Sequence, residues 1–433
     1  MIEAHVRPGF MEIDLTSEQG SALQRAVSDR YGSKIAQSAR LARRIFLVRS
    51  PWAPGLRFVG AETWPQAPHG ALSDPISFSL SGSGERLEEA FVSCVGEGID
   101  RLAQIECPGD VTTVADFPAV TSQVPSSVAA AIEQDMADQK LTKSTPLAWA
   151  RGKLLDTEQA FDSCRDVLIP ADWCFRRTDA TPCLKPRTAL SVGVAAGPTF
   201  EWAASRALLE LIERDAASLW WQGGRRGKAI ALDDPAMGEI VRLMRALRQQ
   251  TDDRTSWLLD ITTDVGIPVI AALSCDKDGR QLAYGLSARL SIEEAARGAI
   301  LELCQTELAI LFARIKRDEA GEQMLSPSDR AHVERIAAIH AECDLLHSVH
   351  LRVYNDTPAT GSELSLVGRA MATSGIEAVL VDMTRPQFDI PVVRAIAPAL
   401  QPMPSRIMTD RLVRACRDHG GGNRYTGGLT LME

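Results

Sequence analysis

Residues Leu208–Trp221 read LLELIERDAASLWW. Most positions are apolar and the stretch ends in two tryptophans, so it predicts a helix that belongs to a core. Yet it carries Glu210 and Glu213 three residues apart, with Arg214 and Asp215 directly after. Acids are rarely buried without partners. Residues three apart share one face of a helix. Carboxylates that close repel and raise each other's pKa. Something has to offset that charge.

The same device recurs on either side. SCVGEGIDRLAQIE (Ser93–Glu106) holds Glu97, Asp100 and Arg101, again acid-x-x-acid-Arg. AILELCQTE (Ala299–Glu307) holds Glu302 and Gln305 at the same spacing of three. The first two helices follow glycine-rich stretches, SGSG at Ser81–Gly84 and GVAAG at Gly193–Gly197, which read as tight turns. Carboxylates gathered from three helices suit Mg²⁺, a hard cation that takes oxygen ligands and keeps water or phosphate in its shell. Arg101 and Arg214 would then grip phosphate oxygens. The bland alternative is three solvated helix faces laced with salt bridges, the usual fate of an isolated ExxER. Spacing alone leaves both open.

At 433 residues the chain is long enough for two or three domains or one large one. Hydrophobic content of 45% and charged content of 24% fit a soluble globular protein with a sizeable core. A net charge of -9 argues against nucleic acid as the main partner. The nine cysteines are scattered, with no CxxC and no zinc-finger spacing, so reduced thiols and a cytoplasmic location are expected. The start, MIEAHVRPGF, has an acid at Glu3 and no apolar signal region. No apolar run approaches the ~18 residues of a membrane span.

Strand-like runs at Arg44–Ser50, Leu56–Glu62, Ile76–Gly84, Ser256–Thr262, Pro268–Cys275, Gln281–Arg289, His350–Asp356, Glu377–Met383 and Pro391–Pro398 alternate with helices. Long helices are expected near Glu18–Arg44, Glu85–Ile105, Asp234–Gln250, Ser291–Arg317 and Ser328–Ala341. This mixture predicts an α+β (mixed α/β) fold. His332, His340, His347 and His350 show no metal-ligand arrangement and read as surface or capping residues. GGRRGK (Gly223–Lys228) reads as a solvated basic loop, and GGGNRYTGG near the end as part of a mobile tail. Asp215 is expected to orient Arg214 or to cap a neighbouring backbone.

The residues also carry a family resemblance. SVGVAAGPTFEWAASRALLELIERDA (Ser191–Ala216) resembles the signature of YcaO-domain proteins, S-x-G-x-A-A-G followed by E-x-x-E-R-D. SGSGERLEEAFVSCVGEGIDR, GAILELCQTE and VLVDMTRPQFDIPVVRAIAPAL are similar to further segments of that family, in the expected order from about residue 76 to 400. The resemblance implies an ATP site without a Walker loop, and no GxxxxGK[ST] is present. It implies metal-binding roles for Glu97, Glu210, Glu213 and Glu302. It implies nucleotide contacts for Ser93, Asp100 and Arg214. No side chain is assigned a catalytic role.

The implied chemistry is ATP-dependent activation of a peptide backbone amide. A nucleophile attacks the carbonyl carbon, and phosphorylation of the oxygen makes it a leaving group. The expected reaction is cyclodehydration of Cys, Ser or Thr to azolines in a ribosomally made precursor peptide. The alternatives are thioamide formation with a TfuA-like partner, or a degenerate scaffold without turnover. A stand-alone subunit working with an E1-like leader-binding protein is expected, with a flavin dehydrogenase as a further partner and a homodimer as the expected assembly. Neither nucleic acid nor membrane is an expected partner. Three departures stand out: Ser83 where relatives carry lysine, Trp202 where they carry an acid, and Gly298 where they carry arginine. The chain ends YTGGLTLME rather than in a proline-rich PxPxP tail, and its similar stretch, Pro402-Met403-Pro404, lies earlier. The expected organisation is an N-terminal α/β region (1–75) that contacts partner or leader, an ATP-binding catalytic domain (76–405), and a C-terminal helix with a mobile tail (406–433).

Overall fold

The computed structural model describes residues 8–63, 78–156, 163–177, 183–348, 350–352 and 360–432. Strands β1 (Gly9–Glu12), β2 (Ala42–Arg49), β3 (Arg57–Thr63) and β4 (Phe78–Gly84) form an antiparallel sheet in that order. Helices α1 (Glu18–Tyr31) and α2 (Ser33–Ser38) lie between β1 and β2. They are two helices rather than the single one expected over Glu18–Arg44, because the chain breaks at Gly32, with φ 94°. Helix α3 (Leu87–Ala103) follows β4 and covers the sheet. The expected boundary at residue 75 lies outside the described residues; on either side of it β3 and β4 pair in one sheet, from Arg57↔Gly84 to Thr63↔Phe78.

Next come β5 (Val111–Asp116), α4 (Phe117–Val120), α5 (Ser126–Asp138), β6 (Pro146–Leu154), β7 (Asp166–Pro170) and β8 (Val194–Ala196). Helix α6 (Phe200–Trp221) contains the opening stretch. A second antiparallel sheet, in the order β12-β11-β10-β9, uses β9 (Lys228–Ala229), β10 (Arg254–Asp260), β11 (Val269–Asp276) and β12 (Ala283–Ala288). Helix α7 (Gly238–Arg248) precedes β10, and α8 (Ile292–Ala320) and α9 (Pro327–Ala338) follow β12. After α10 (Glu363–Thr373), strands β13 (Val379–Asp382) and β14 (Val392–Ile396) complete a six-stranded sheet. Its order is β5-β6-β13-β14-β8, with β7 paired to β6. Helices α11 (Asp410–His419) and α12 (Asn423–Thr426) come last. The fold is α+β, with antiparallel sheets between long helices. The strand expected over His350–Asp356 lies largely outside the described residues; Leu351 makes a bridge to Ala229.

Helix α6 is buried almost all round, from Ala203 to Trp221, with both tryptophans in the core. Its N-terminus is capped by Thr199, whose side chain accepts from the Trp202 amide. Three strand–helix units organise the centre of the molecule: β4–α3, β8–α6 and β12–α8. Each helix packs on its own strand and also touches the strand of another unit: α3 meets β8, α6 meets β12, and α8 meets β4. The three units therefore close into a ring.

Glycine makes the close packing possible. A Cβ at Gly82 would lie 2.2 Å from the Ala90 carbonyl oxygen and 2.3 Å from the Cys94 nitrogen. A Cβ at Gly285 would lie 2.2 Å from both the Ala299 carbonyl oxygen and the Leu303 nitrogen. The SGSG stretch expected as a turn is thus part of β4, with glycine serving close helix approach rather than reversal. No helix among the described residues is long and apolar enough to cross a membrane.

Candidate functional site

The ring places one carboxylate from each unit under the same constraint. The Ser81 amide donates to Glu97 Oε2 at 2.7 Å, the Gly193 amide to Glu210 Oε2 at 3.0 Å, and the Leu286 amide to Glu302 Oε2 at 2.9 Å. In each case a backbone amide in the strand of a unit, or for Gly193 directly before it, holds the glutamate of its own helix, at separations of 16, 17 and 16 residues. A carboxylate fixed by a backbone N–H through one oxygen presents its other oxygen elsewhere. Here the three acids face one cavity of about 420 Å³, which Asp100, Arg101, Gln104 and Arg214 also line.

The arginines pair with the acids. Arg101 reaches Glu97 Oε1 at 3.1 Å, and Arg214 reaches Glu210 Oε1 at 3.1 Å and Glu213 Oε1 at 3.4 Å. Burial works against the charge on Arg214, but Glu213, Glu210 and Glu302 outweigh it and hold its pKa above the usual value. Burial, with Glu213 beside it, pushes Glu302 up to about 8. Asp100 is raised well above the ordinary range by burial first, then by Glu210 and Glu97. Burial also raises Glu213, against the opposing charge of Arg214.

Of the residues named from the sequence, Glu97, Asp100, Glu210, Arg214 and Glu302 meet in one cavity. Glu213 is 8% exposed and stands behind Arg214 rather than on the cavity wall. Ser93 is exposed and is not part of the lining. As the side chains stand, no three acidic, histidine or cysteine groups among the described residues form a ready metal cage, because the arginines occupy the carboxylates. Mg²⁺ is usually held by one or two carboxylates plus the phosphates of its substrate rather than by an all-protein cage. The orphaned polar atoms agree with a missing polar ligand. Asp100 Oδ1, Gln104 Oε1 and Nε2, Arg214 Nε and Arg335 Nε are buried without a hydrogen-bond partner. An all-oxygen acid set beside arginine donors fits a magnesium-bound polyphosphate.

The departures from the family pattern are accommodated locally. Gln305 donates to Ser83, tying α8 to β4. Gly298 packs on Ser287, where a Cβ would come within 2.4 Å of the hydroxyl. Arg297 instead pairs with Glu85. Trp202 is half exposed beneath the Arg206 guanidinium and does not line the cavity.

Two expectations are corrected. The C-terminal stretch is anchored rather than mobile. Trp221 Nε1 donates to the Leu429 carbonyl at 2.7 Å, the Tyr284 hydroxyl donates to the Leu431 carbonyl at 2.8 Å, and Leu431 is fully buried. Met432 Sδ accepts from Arg214 Nη1 at 2.7 Å, and Leu431, Met432 and Pro404 all line the cavity. Buried aromatic N–H and O–H groups that require acceptors hold this segment in place. Second, His332 is not a surface residue: it lines the cavity with Arg335, from α9. Sequence reasoning missed Gln104, Tyr284, His332 and Arg335. The spacing from strand amide to helix glutamate was available as a signal for the acids, but no comparable signal marks these four. As for the GGRRGK loop, Arg225 donates to the carbonyls of Ile261 and Thr262.

The comparisons with known proteins bear on the family and the fold. The family model described as "YcaO cyclodehydratase, ATP-ad Mg2+-binding" matches residues 81–401. An uncharacterized protein of Methanothermobacter thermautotrophicus is 26% identical over 352 residues, covering 78% of this chain and 84% of its own. A Rhizobium leguminosarum protein described as uncharacterized and in the tfuA 3′ region is 27% identical over 348 residues, covering 76% of this chain and 78% of its own. Two solved structures share the fold. One is a heterocyclase in complex with substrate and cofactor, at TM-score 0.70 and 23% identity, covering 92% of this chain but 55% of that one. The other is YcaO from Methanopyrus kandleri bound with AMPPCP and Mg²⁺, at TM-score 0.59 and 19% identity, covering 88% and 91%. By its matched family model and by its fold, the chain belongs to the YcaO family, whose members bind ATP and Mg²⁺.

Proposed function

We propose that the protein activates peptide backbone amides by ATP-dependent phosphorylation of the amide oxygen. The observation that carries this reading is the ring of three units, which aims Glu97, Glu210 and Glu302 at one cavity beside Arg101 and Arg214. ATP held with Mg²⁺ would supply the phosphoryl group that turns the amide oxygen into a leaving group. In this reading Glu97, Glu210 and Glu302 hold the metal, and Glu213 sets the charge and position of Arg214. Arg214 would offset charge on the transferring group, as positioned cations do in phosphoryl transfer. Asp100, raised in pKa and without a partner on Oδ1, would meet the nucleotide as a neutral or a charged acid depending on the metal beside it.

Two nucleophiles are compatible with this step. Attack by a Cys, Ser or Thr side chain of the peptide closes an azoline ring with loss of water, a cyclodehydration, and the family description names a cyclodehydratase. Attack by external sulfide gives a thioamide. The second reading has a sequence relative from a tfuA region on its side. The corresponding partner is an E1-like leader-binding protein in the first case and a TfuA-like protein in the second.

Phosphate release from ATP with Mg²⁺, precursor peptide and partner present tests the common step, comparing wild type with Glu210→Ala. Release by wild type and its loss in the variant are expected. No release by either would leave a nucleotide-binding scaffold and overturn the enzyme reading. Mass analysis of the peptide then separates the products: loss of water marks azoline, and exchange of oxygen for sulfur marks thioamide.

A further inference from the structure

Arg335 is 1% exposed and lines the cavity that holds Glu97, Glu210 and Glu302. Its Nη1 donates to the Leu431 carbonyl at 3.0 Å, and its Nη2 lies 2.5 Å from His332 Nδ1. Its guanidinium stands 4.8 Å from the centre of the Tyr284 ring, and its Nε is buried without a partner. Arginine carries donors only, so His332 Nδ1 accepts and the imidazole proton sits on Nε2. The histidine is therefore neutral and supplies no countercharge.

Several other buried arginines in this fold are neutralised by an ion pair, whereas Arg394, buried outside this cavity, donates to the Leu190 carbonyl. Arg254 and Arg248 share Glu307, Arg411 holds Asp215, and Arg385 holds Asp110. Among the described residues Arg335 has a carbonyl, an imidazole and an aromatic face, and no ion pair. A desolvated guanidinium without an anion is unfavourable, and Arg335, unlike Arg394, lines the cavity of the acids, where an anionic ligand can reach it. The missing partner has to be an anion that also tolerates the four acids on the same wall. A simple anion would be repelled by Glu97, Asp100, Glu210 and Glu302. A polyphosphate arriving with divalent cations satisfies both the acids and the arginine.

We propose that Arg335 binds a phosphate oxygen of the nucleotide, from a helix outside the three carboxylate-bearing units, with His332 fixing the plane of its guanidinium. This rests on the nucleotide reading given above. It makes α9 part of the phosphate site and links that site to the C-terminal segment, because Arg335 and Tyr284 share the Leu431 carbonyl.

The test is calorimetric binding of AMPPCP with Mg²⁺, and separately of adenosine, to wild type, Arg335→Gln and Arg335→Lys. Arg335→Gln is expected to weaken AMPPCP by about 10- to 100-fold, the span of one lost charge-assisted hydrogen bond, and to change adenosine less than twofold. Arg335→Lys keeps the charge but loses the fork, so it should fall between the two. Should Arg335→Gln fail to fold, the lysine variant carries the test: it must weaken AMPPCP and spare adenosine. Equal AMPPCP binding by wild type and a folded variant overturns the proposal, as does equal weakening of AMPPCP and adenosine, which marks a structural role. Failure of wild type to bind AMPPCP with Mg²⁺ would instead sink the nucleotide reading, and this proposal with it.

Discussion

Asp215 and Arg411 form a two-pronged ion pair, with Nε to Oδ1 at 2.9 Å and Nη2 to Oδ2 at 2.8 Å. Asp215 is fully buried, and its Oδ1 also accepts from the Gln401 amide at 2.9 Å. The aspartate that follows the Glu210–Arg214 constellation thus points away from it. It clamps the end of the YcaO region and α11 onto α6. Of the two roles expected for Asp215, backbone capping is realised and orientation of Arg214 is not.

Removing that carboxylate should loosen the C-terminal segment. Asp215→Asn leaves the Arg411 guanidinium, 9% exposed, with only the surface acid Asp264. A loss of about 3 kcal/mol is expected, as for other broken buried pairs. Hydrogen exchange should show faster opening of residues 410–432 than in wild type. Unchanged exchange there would mean that the clamp does not hold the tail.

Gly285→Ala tests the packing that aims Glu302. The new Cβ would meet backbone atoms of α8 at 2.2 Å, and backbone cannot rotate away as a side chain can. The helix must lift from β12, which lengthens the Leu286–Glu302 hydrogen bond. A stability loss of about 3 kcal/mol is expected, with weaker AMPPCP–Mg²⁺ binding in the same variant. Wild-type melting and wild-type binding together would contradict the close-packing account.

A buried charge centre independent of the site joins α7 and α8 to the second sheet. Glu307 is fully buried and takes both Nη1 and Nη2 of Arg248, at 2.6 and 2.8 Å, Nε of Arg254 at 3.0 Å, and the Ser274 hydroxyl at 2.5 Å. Glu307→Gln would strand two arginines. Thermal unfolding should show a loss of about 4 kcal/mol, in line with breaking a buried pair from one side. A neutral result would mean that water reaches these arginines.

Asp135 offers a pH test away from the cavity. Burial raises its carboxyl from 3.8 to about 6, against the pull of Arg187 and with Asp138 adding to the rise. A folded pKa above the unfolded one means that the stability linked to this group is full below about 3.8. That stability is lost as pH rises through about 6. The change amounts to at most about 3 kcal/mol. Asp135→Asn should flatten the stability curve between pH 4 and 7. An unchanged slope in the variant would place the pH dependence elsewhere.

The carboxylate helices were legible because helical periodicity and residue type are local. Three-residue spacing puts Glu210 and Glu213 side by side on one face of α6 in any context, and the glycine and ExxER patterns carry the family with them. The α+β class likewise follows from alternating strand and helix runs. Spacing could not say which acid lines the cavity and which stands behind an arginine. Glu213 and Glu210 differ in how α6 rotates against β8 and β12, which long-range packing decides. Nor could it show that SGSG is strand, because glycine serves turns and close approach alike. Only the partner helix distinguishes them.

His332, Arg335 and Leu431 lie far from Glu97 in sequence and meet it only through the fold. Their roles depend on burial, which turns an ordinary arginine into an uncompensated charge and a glycine-rich terminus into a held segment. The sequence by itself marked the acids and arginines of three helices as candidates for a metal–phosphate group, since that depends on chemical type and short spacing. Only the tertiary structure decided which of them share a cavity, because desolvation and ion pairing depend on elements brought together from across the chain.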